Sequence, residues 1–263
     1  MTPTSSVSRV RCANPSPMTL EGTNTYVIGG REDDVVLIDP GPADHPEHLE
    51  AVLEVVAGRR VSQILVTHHH RDHTGAVEAF MERTGAPVRG HAESQCRAGD
   101  VGGPPARLRD GEQLQAGSTP IRVVHTPGHT SDSVCFFLPD EGADGAMLTG
   151  DTLLGRGTTM LDHPDGTLTD YLASLRHLTE FGDAEMLPAH GPARDSLAET
   201  ARTYIAHREQ RLDQVRELVA AHGSLEAEHL GQLIYEHQTS LPERITTKIA
   251  AAQLDHLRHL GDL

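Results

Sequence analysis

The sequence predicts an α/β domain followed by a small, entirely helical C-terminal segment. Two observations lead to this fold class. Up to about residue 190, short apolar runs bounded by Gly, Pro and Asp alternate with longer segments whose apolar residues recur at helical spacing. After Leu187 no strand-like run follows, and only helical patterns remain. We therefore expect a domain over residues 1–195 and a helical appendage over residues 196–263.

Length and composition narrow the class of protein. At 263 residues, with 37% hydrophobic and 23% charged residues, the chain is typical of a soluble globular protein. No apolar run approaches the roughly 18 residues of a membrane span, and the first residues lack the apolar core of a secretory signal. Three cysteines without close spacing favour reduced thiols. We therefore expect a cytoplasmic protein without a membrane partner.

The α/β part has a recognisable order of elements. The segment 35–38 (Val-Val-Leu-Ile) is apolar and ends at an Asp-Pro-Gly turn, and residues 46–57 carry Leu49, Val52 and Val56 on one helical face. The helix over 76–83 is closed by Gly85. Strands are predicted at residues 25–28, 35–38, 62–66, 121–124, 133–138, 147–149 and 185–187, and helices at residues 46–57, 76–83 and 167–179. Residues 99–105, rich in Gly and Pro, are predicted to form an exposed loop.

The C-terminal part is predicted to contain three helices. A long helical stretch covers residues 196–221, and after Gly223 helical patterns cover residues 226–236 and 242–260. Arginines between residues 202 and 216 alternate with acidic residues, which favours a solvated helix face with i,i+4 pairs.

The most informative stretch is residues 67–73, Thr-His-His-His-Arg-Asp-His, which follows the apolar run 64–66. Burying so many polar rings is costly unless something coordinates or hydrogen-bonds them. Residues two apart at a strand end share a direction, so His68 and His70 are expected to face one ion. Asp72 and His73 come from the following turn and are expected to reach a second ion. Alternation points His69 away, although a slipped register that uses His69 and His73 is an alternative.

Three further ligand-type residues follow strand-like runs and lie beside Gly or Pro. They are His129 in Pro-Gly-His-Thr, Asp151 in Thr-Gly-Asp and His190 in Ala-His-Gly-Pro. His91 and His125 also lie at strand ends, but we interpret them as structural or pocket-lining groups. Cys135 is expected in the core, and no cysteine occupies an expected ligand position.

The series His68-x-His70-x-Asp72-His73, then His129, Asp151 and His190, resembles the full ligand set of the metallo-β-lactamase-fold hydrolases. Seven residues match in type and order, and the resemblance covers about residues 7–195. Within that superfamily, residues 22–26 (Gly-Thr-Asn-Thr-Tyr), residues 154–159 (Leu-Gly-Arg-Gly-Thr-Thr) and the helical tail resemble the subgroup called β-lactamase-like protein 2.

The resemblance implies a four-layer αβ/βα sandwich with two metal ions at one edge, usually Zn²⁺, with Mn²⁺ or iron as alternatives. It assigns the ligands as follows: His68, His70 and His129 on one ion, Asp72, His73 and His190 on the other, and Asp151 bridging both. Two ions about 3.5–4 Å apart lower the pKa of a shared water and polarise the scissile group. The expected enzyme is therefore a hydrolase that uses a metal-bridged hydroxide.

Other residues are given supporting roles. Asp72 is the candidate catalytic residue, which would steer the hydroxide or accept its proton. Asp39, at another strand end, is expected to orient a ligand histidine. Four residues are candidates for lining the substrate pocket: Tyr26, Arg156, Thr158 and Tyr171. The two tyrosines are explained equally well as a strand residue and a helix anchor.

The ligands do not select the substrate, so three hypotheses stay open. The first is hydrolysis of a small-molecule thioester, ester or lactone, which the net charge of −16 favours over phosphate-backbone binding. The second is a metal-dependent endoribonuclease on single-stranded RNA, because the tail resembles the winged-helix-like appendage of such relatives. The third is a non-catalytic metal-binding protein, against which the intact ligand set argues.

The tail departs from the ribonuclease pattern in two respects. The chain stops where a strand hairpin, the wing, would normally follow, so the appendage reads as a truncated winged-helix-like unit. Residues 201–263 carry seven Lys+Arg and nine Asp+Glu, a weak balance for binding phosphates. A role as a lid or a homodimer contact is at least as well supported as RNA binding.

Overall fold

The computed structural model describes residues 5–100, 106–235 and 242–263. Within them the strands form two five-stranded sheets, each built from strands that are consecutive in the chain. The first sheet contains, in spatial order, β1 (Val7–Arg11), β2 (Asn24–Ile28), β3 (Val35–Ile38), β4 (Val61–Leu65) and β5 (Val88–Arg89). The second contains β6 (Gln113–Ala116), β7 (Thr119–His125), β8 (Val134–Leu138), β9 (Ala146–Gly150) and β10 (Glu185–Pro188), also in spatial order.

Both sheets mix parallel and antiparallel pairs. In the first sheet β3, β4 and β5 are parallel, and the pairs β1–β2 and β2–β3 are antiparallel. In the second sheet only β9 and β10 pair in parallel. Since parallel neighbours end at the same edge of a sheet, the loops after β3 and β4 are brought together, as are those after β9 and β10.

Helices cover the outer face of each sheet. The helices of the described residues are α1 (Pro46–Val56), α2 (Arg71–Thr74), α3 (Val77–Thr84), α4 (Leu168–Leu178), α5 (Leu197–His222), α6 (Ala227–Tyr235) and α7 (Glu243–Leu260). Val52 of α1 and Phe80 of α3 share an apolar core with Ile64 of the first sheet. Leu172 of α4 and Ala201 of α5 share another with the second sheet and with α6 and α7.

A third apolar core lies between the two sheets. Ile38 and Leu65 of the first sheet meet Val123 and Phe136 of the second, and all four side chains are at most 1% exposed. Three cores therefore separate four layers. The α/β fold class with a helical C-terminal segment is confirmed.

The strands that position the site were predicted within two residues, whereas the short helix α2 was given no bounds and three short strands were not predicted. β1, β5 and β6 were missed, and the helix predicted at 76–83 lies at Val77–Thr84, where Gly85 closes it with a φ of +68°. Most of the loop predicted at residues 99–105 lies outside the described residues.

The C-terminal helices begin and end at clear signals. The Ser196 Oγ accepts a hydrogen bond from the Glu199 amide at 3.2 Å and caps α5, which ends at Gly223. In the described part of the chain no strand follows β10. The division at residue 195 and the winged-helix likeness stay predictions. None of the described helices is both long and apolar enough to cross a bilayer.

Candidate metal centre

Seven ligand-type side chains lie together at the edge where β4, β9 and β10 end. The loop after β4 supplies His68 and His70, and α2 supplies the next pair. Asp72 and His73 sit in the first turn of α2, where the chain reverses. The second sheet supplies the other three, which are His129 between β7 and β8, Asp151 after β9 and His190 after β10.

Four of these side chains form a first group, in which one ligand atom from each lies within 4.8 Å of the others. The group consists of His68, His70, His129 and Asp151. The His129 Nε2 lies 3.3 Å from His68 Nε2 and 3.1 Å from His70 Nδ1. It lies 3.7 Å from the Oδ2 of Asp151. The four atoms therefore surround one point.

In each histidine of this first group, the ring nitrogen that points away from the other ligands faces a hydrogen-bond acceptor. The pairs are His68 Nδ1 to Thr67 Oγ1 at 3.0 Å, His70 Nε2 to Asp162 Oδ2 at 3.3 Å and His129 Nδ1 to the Met160 carbonyl at 2.6 Å. We assign the ring protons to these outer nitrogens, because a carbonyl and a carboxylate only accept.

This tautomer leaves three nitrogen lone pairs facing one another. Burial lowers the pKa of His68 and of His129, so both rings are neutral near pH 7. Converging lone pairs at 3.1–3.3 Å repel unless a cation lies between them. The first group therefore fits a metal ion.

A second group, Asp72, His73 and His190, adjoins the first. The His190 Nε2 lies 3.2 Å from Asp72 Oδ2 and 3.3 Å from Asp151 Oδ1. The His73 Nε2 lies 3.6 Å from the same Asp151 Oδ1. Asp151 therefore directs Oδ2 toward the first group and Oδ1 toward the second, which is the arrangement of a bridging carboxylate.

Three buried atoms in and beside the second group make no well-oriented hydrogen bond among the described residues, although charged atoms lie close by: His73 Nε2, His190 Nε2 and Asp151 Oδ1. Unpaired buried polar atoms are rare and costly. Imidazole nitrogens suit Zn²⁺ and iron, and carboxylate oxygens suit Mn²⁺ as well. The donor set of the second group therefore also fits a metal ion.

The electrostatics of the second group are those of a carboxylate-rich site. Burial opposes protonation of His190, but the charge of Asp151 outweighs it and raises the pKa of His190 to about 9. Burial likewise opposes protonation of His73, and Asp151 and Asp39 raise its pKa well above the ordinary value. The pKa of Asp72 is lowered: burial would raise it, but the charge of His73 and the contact with His190 prevail. Because the negative charge dominates here, a cation would compete with these protons.

Asp39 lies behind the second group, against one of its histidines. Its Oδ2 accepts from His73 Nδ1 at 2.8 Å, and its two oxygens accept from the Thr67 amide and hydroxyl, each at 2.8 Å. Its backbone φ of +53° is unusual for a residue with a side chain. The structure thus places Asp39 against a candidate ligand histidine, and its role in orienting that histidine stays a prediction. The other histidine of the group, His190, donates through Nδ1 to the Gly22 carbonyl at 3.2 Å.

Two of the predicted pocket residues require correction. Tyr26 is 3% exposed and its hydroxyl donates to the Pro188 carbonyl, and Tyr171 is fully buried and donates to the Thr152 carbonyl. Both rings are therefore anchors beneath the site and present no surface to a substrate. Arg156 and Thr158 are exposed, with Arg156 paired to Glu21 at 2.6 Å, and their role stays a prediction.

The other singled-out histidines lie outside the two groups. His69 turns toward Asp132, at 2.9 Å from Nδ1 to Oδ1. His91 and His125 stack with ring centroids 3.9 Å apart and contact backbone carbonyls. Cys135 is a buried free thiol.

Sequence reasoning missed Asp162, the partner of His70. It lies 92 residues from His70 and follows no strand, so no local signal in the sequence points to it. Its other oxygen accepts from Lys248 of α7 at 2.7 Å. The hydrogen bond from Lys248 lowers the pKa of Asp162 and so keeps the acceptor of His70 ionised.

Comparisons with known proteins point to one superfamily. The family model described as the metallo-beta-lactamase superfamily matches residues 18–190. A beta-lactamase-like protein 2 homolog from Drosophila melanogaster is 31% identical over 278 residues, which cover 99% of this chain and 88% of that protein. An atrochrysone carboxyl ACP thioesterase from Aspergillus fumigatus is 35% identical over 217 residues, or 80% of this chain and 63% of that protein.

A solved structure extends the similarity to the helical tail. The crystal structure of a metallo-beta-lactamase family protein from Thermus thermophilus superposes with a TM-score of 0.78 and 26% identity, covering 97% of this chain and 94% of that one. The fold, the converging ligand groups and these matches agree with one another. The chain therefore belongs to the metallo-beta-lactamase superfamily.

Proposed function

We propose that the protein is a dinuclear-metal hydrolase that cleaves a small-molecule acyl bond, with a thioester as the first substrate class and esters and lactones next. The observation that carries the proposal is the pair of ligand groups that share Asp151. Two bound ions, Zn²⁺ in our proposal, would supply activation of a water and polarisation of the scissile carbonyl. Mn²⁺ and iron are the alternatives.

The residues of this chain would do the rest. Asp72 is the candidate for steering the attacking water and accepting its proton, because its side chain is 29% exposed whereas those of His73 and His190 are at most 1% exposed. The outer-nitrogen hydrogen bonds hold each imidazole in one orientation, so the ligand atoms need no reorganisation when metal binds. Asp151 keeps the two groups together.

The surroundings of the site support an acyl substrate over RNA. Asp162, whose side chain is 31% exposed, lies beside the ligand His70, and the buried Asp132 contacts the non-ligand His69. The nearby cation Lys248 is already paired with Asp162. Negative charge at the mouth would repel a phosphate backbone. The fungal relative that is named a thioesterase supports the choice of thioester.

We further propose a cytoplasmic protein, since all three cysteines are free thiols.

The test is to follow hydrolysis of an acyl N-acetylcysteamine thioester, a p-nitrophenyl ester and a lactone by the metal-loaded protein, with a single-stranded RNA in parallel. We expect thioester cleavage, and we expect Asp72→Ala and His129→Ala each to lower kcat/KM by at least about 100-fold, since each removes a ligand. His222→Gln, at the exposed end of α5, is the matched control.

Two results would overturn the proposal. RNA cleavage that disappears in the same two variants, without acyl cleavage, would identify a ribonuclease. Two equivalents of bound metal with no turnover of any of these substrates would identify a metal-binding protein.

A further inference from the structure

We infer that α7 is a positioning element for the first metal-ligand group, acting through Lys248 and Asp162 on His70. The inference rests on the proposed function only in that the two groups bind metal. It gives the C-terminal helices a role at the site that is distinct from substrate binding or dimer contact.

The contact is a chain of three side chains. The Lys248 Nζ donates to Asp162 Oδ1 at 2.7 Å, and Asp162 Oδ2 accepts from His70 Nε2 at 3.3 Å. His70 then presents Nδ1 to His129. Asp162 contacts both a helix of the tail and a ligand, although it is 86 residues from Lys248 and 92 residues from His70 in the sequence.

His70 depends on this contact more than its neighbours do. The residues His68 and His129 are 1% and 3% exposed, so packing confines their rings. The His70 side chain is 29% exposed, and less of its ring is confined by packing. A carboxylate on the outer nitrogen fixes the tautomer and the ring orientation of a metal-binding histidine. For His70 that carboxylate is Asp162.

The tail supports the same loop at a second place. Arg208 of α5, which is 7% exposed, donates to the Thr159 carbonyl, and the next residue, Met160, accepts from His129 Nδ1 at 2.6 Å. Residues 159–162 therefore orient two of the three histidines of the first group, and α5 and α7 each hold that segment.

The second group is oriented from elsewhere. His73 donates to Asp39, and His190 donates to the Gly22 carbonyl, both of which belong to the N-terminal part of the chain. Loss of the α7 contact should therefore weaken metal binding at one position and leave the other unchanged.

The chain offers a matched control on the same helix. Asp255 of α7 pairs at 3.2 Å with His163, the residue that follows Asp162 in the sequence. Neither member of this pair belongs to the two ligand groups. Asp255→Asn removes a contact of α7 with the same loop and leaves the Lys248–Asp162–His70 contacts in place.

The experiment is calorimetric titration of the metal-free full-length protein with Zn²⁺, compared for the wild type, Lys248→Met, Lys248→Arg, Asp162→Ala and Asp255→Asn. We expect two binding steps in the wild type. In Asp162→Ala one step should weaken about 10–100-fold, the usual cost of losing such a partner. Lys248→Met should weaken the same step by less, and Lys248→Arg should restore it. Asp255→Asn should match the wild type.

Thermal unfolding of the metal-free variants separates positioning from stability. Lys248→Met and Asp255→Asn should unfold within about 2 °C of each other, since the α7 side chain of each pair is about half exposed, at 47% and 54%. Unchanged affinity in Lys248→Met would overturn the role of α7, and unchanged affinity in Asp162→Ala would overturn the role of the carboxylate as well. Equal weakening of both steps with loss of metal-free stability would assign a structural role instead. Normal two-step binding without turnover contradicts the proposed function alone, whereas a wild type that binds no metal contradicts both.

Discussion

Among single residues, His48 of α1 is a buried imidazole outside the ligand groups. It is 4% exposed, its Nε2 lies 2.8 Å from Thr25 Oγ1, and its Nδ1 has no partner among the described residues. Since the Thr25 hydroxyl donates to the Asp39 carbonyl at 2.6 Å, it accepts from the His48 Nε2 proton. His48 is therefore linked through the Thr25 hydroxyl to the backbone of Asp39, the residue with the unusual positive φ. Burial, and then the charge of His45, lowers the pKa of His48 from 6.5 to about 4.

The lowered pKa of His48 predicts a pH-dependent stability. Below its ordinary pKa the unfolded chain binds a proton that the folded protein excludes, so stability is lost as the pH falls from about 6.5 to about 4. The loss amounts to at most about 3 kcal/mol. Urea unfolding in EDTA at pH 6.5 and 4.5 should show a smaller loss for His48→Gln than for the wild type. His222→Gln is the control, and equal losses in wild type and His48→Gln would contradict the assignment.

Whether the sequence points to a residue of the site depends on how local its structural context is. His68 follows an apolar strand and His129 follows a strand beside Pro127 and Gly128, and that local context is visible in the sequence. Tyr26 was misassigned because β2 is buried on both faces, so alternation carries no information about its side chain. Asp162 was missed because only the tertiary fold brings it to His70.

At the scale of elements, the loop between β7 and β8 packs unusually closely on α4. A Cβ on Gly128 would lie 2.3 Å from the Tyr171 Cα, and the Gly128 φ is +143°. The Ser174 hydroxyl of α4 donates to the Pro127 carbonyl at 2.7 Å. The position of His129 is therefore set by contact between a glycine and a helix backbone.

Gly128→Ala should move His129 and weaken metal binding as well as stability. We expect a loss of about 2–4 kcal/mol, because a backbone clash adds to the strain of a positive φ. Gly142→Ala is the matched control, with a φ of +71° and no atom within 4 Å of the added Cβ. It should cost only about 1–2 kcal/mol and leave metal stoichiometry unchanged. Urea unfolding would measure the loss of stability in both variants, and metal analysis would measure their bound metal. Equal losses in Gly128→Ala and Gly142→Ala would contradict the packing argument.

The elements missed from the sequence are those with weak local signals. β5 has two residues, and β1 (Val-Ser-Arg-Val-Arg) is an edge strand with mostly polar, exposed positions. The long helices and the apolar strands were predicted because their periodicity extends over enough residues. Pairing order is nonlocal, so the arrangement in two sheets came only through the family resemblance.

At the scale of the whole molecule, the ligands join the two sheets. Four of them follow β4 in the first sheet, and three follow strands of the second. Bound ions would therefore connect the two halves of the sandwich at one edge.

Chelation should therefore lower thermal stability. A ligand at about 100 times its Kd stabilises the folded state by about 2.7 kcal/mol. For a chain of this size that corresponds to roughly 5–10 °C per ion. Differential scanning fluorimetry with Zn²⁺ and with EDTA would measure the difference, which should shrink in His129→Ala. A Tm that does not respond to metal in the wild type would contradict the cross-linking role.

The consecutive strand order of each sheet has a kinetic consequence. Residues 7–89 and 113–188 each supply every strand of one sheet, so contacts within a sheet are closer along the chain than contacts between sheets. The ligand groups, which draw on both sheets, are complete only once the sheets have docked. Contacts that form after the rate-limiting step change the rate of unfolding far more than the rate of folding. Metal ions should accordingly leave the refolding rate nearly unchanged. They should slow unfolding and so prolong the lifetime of the folded state.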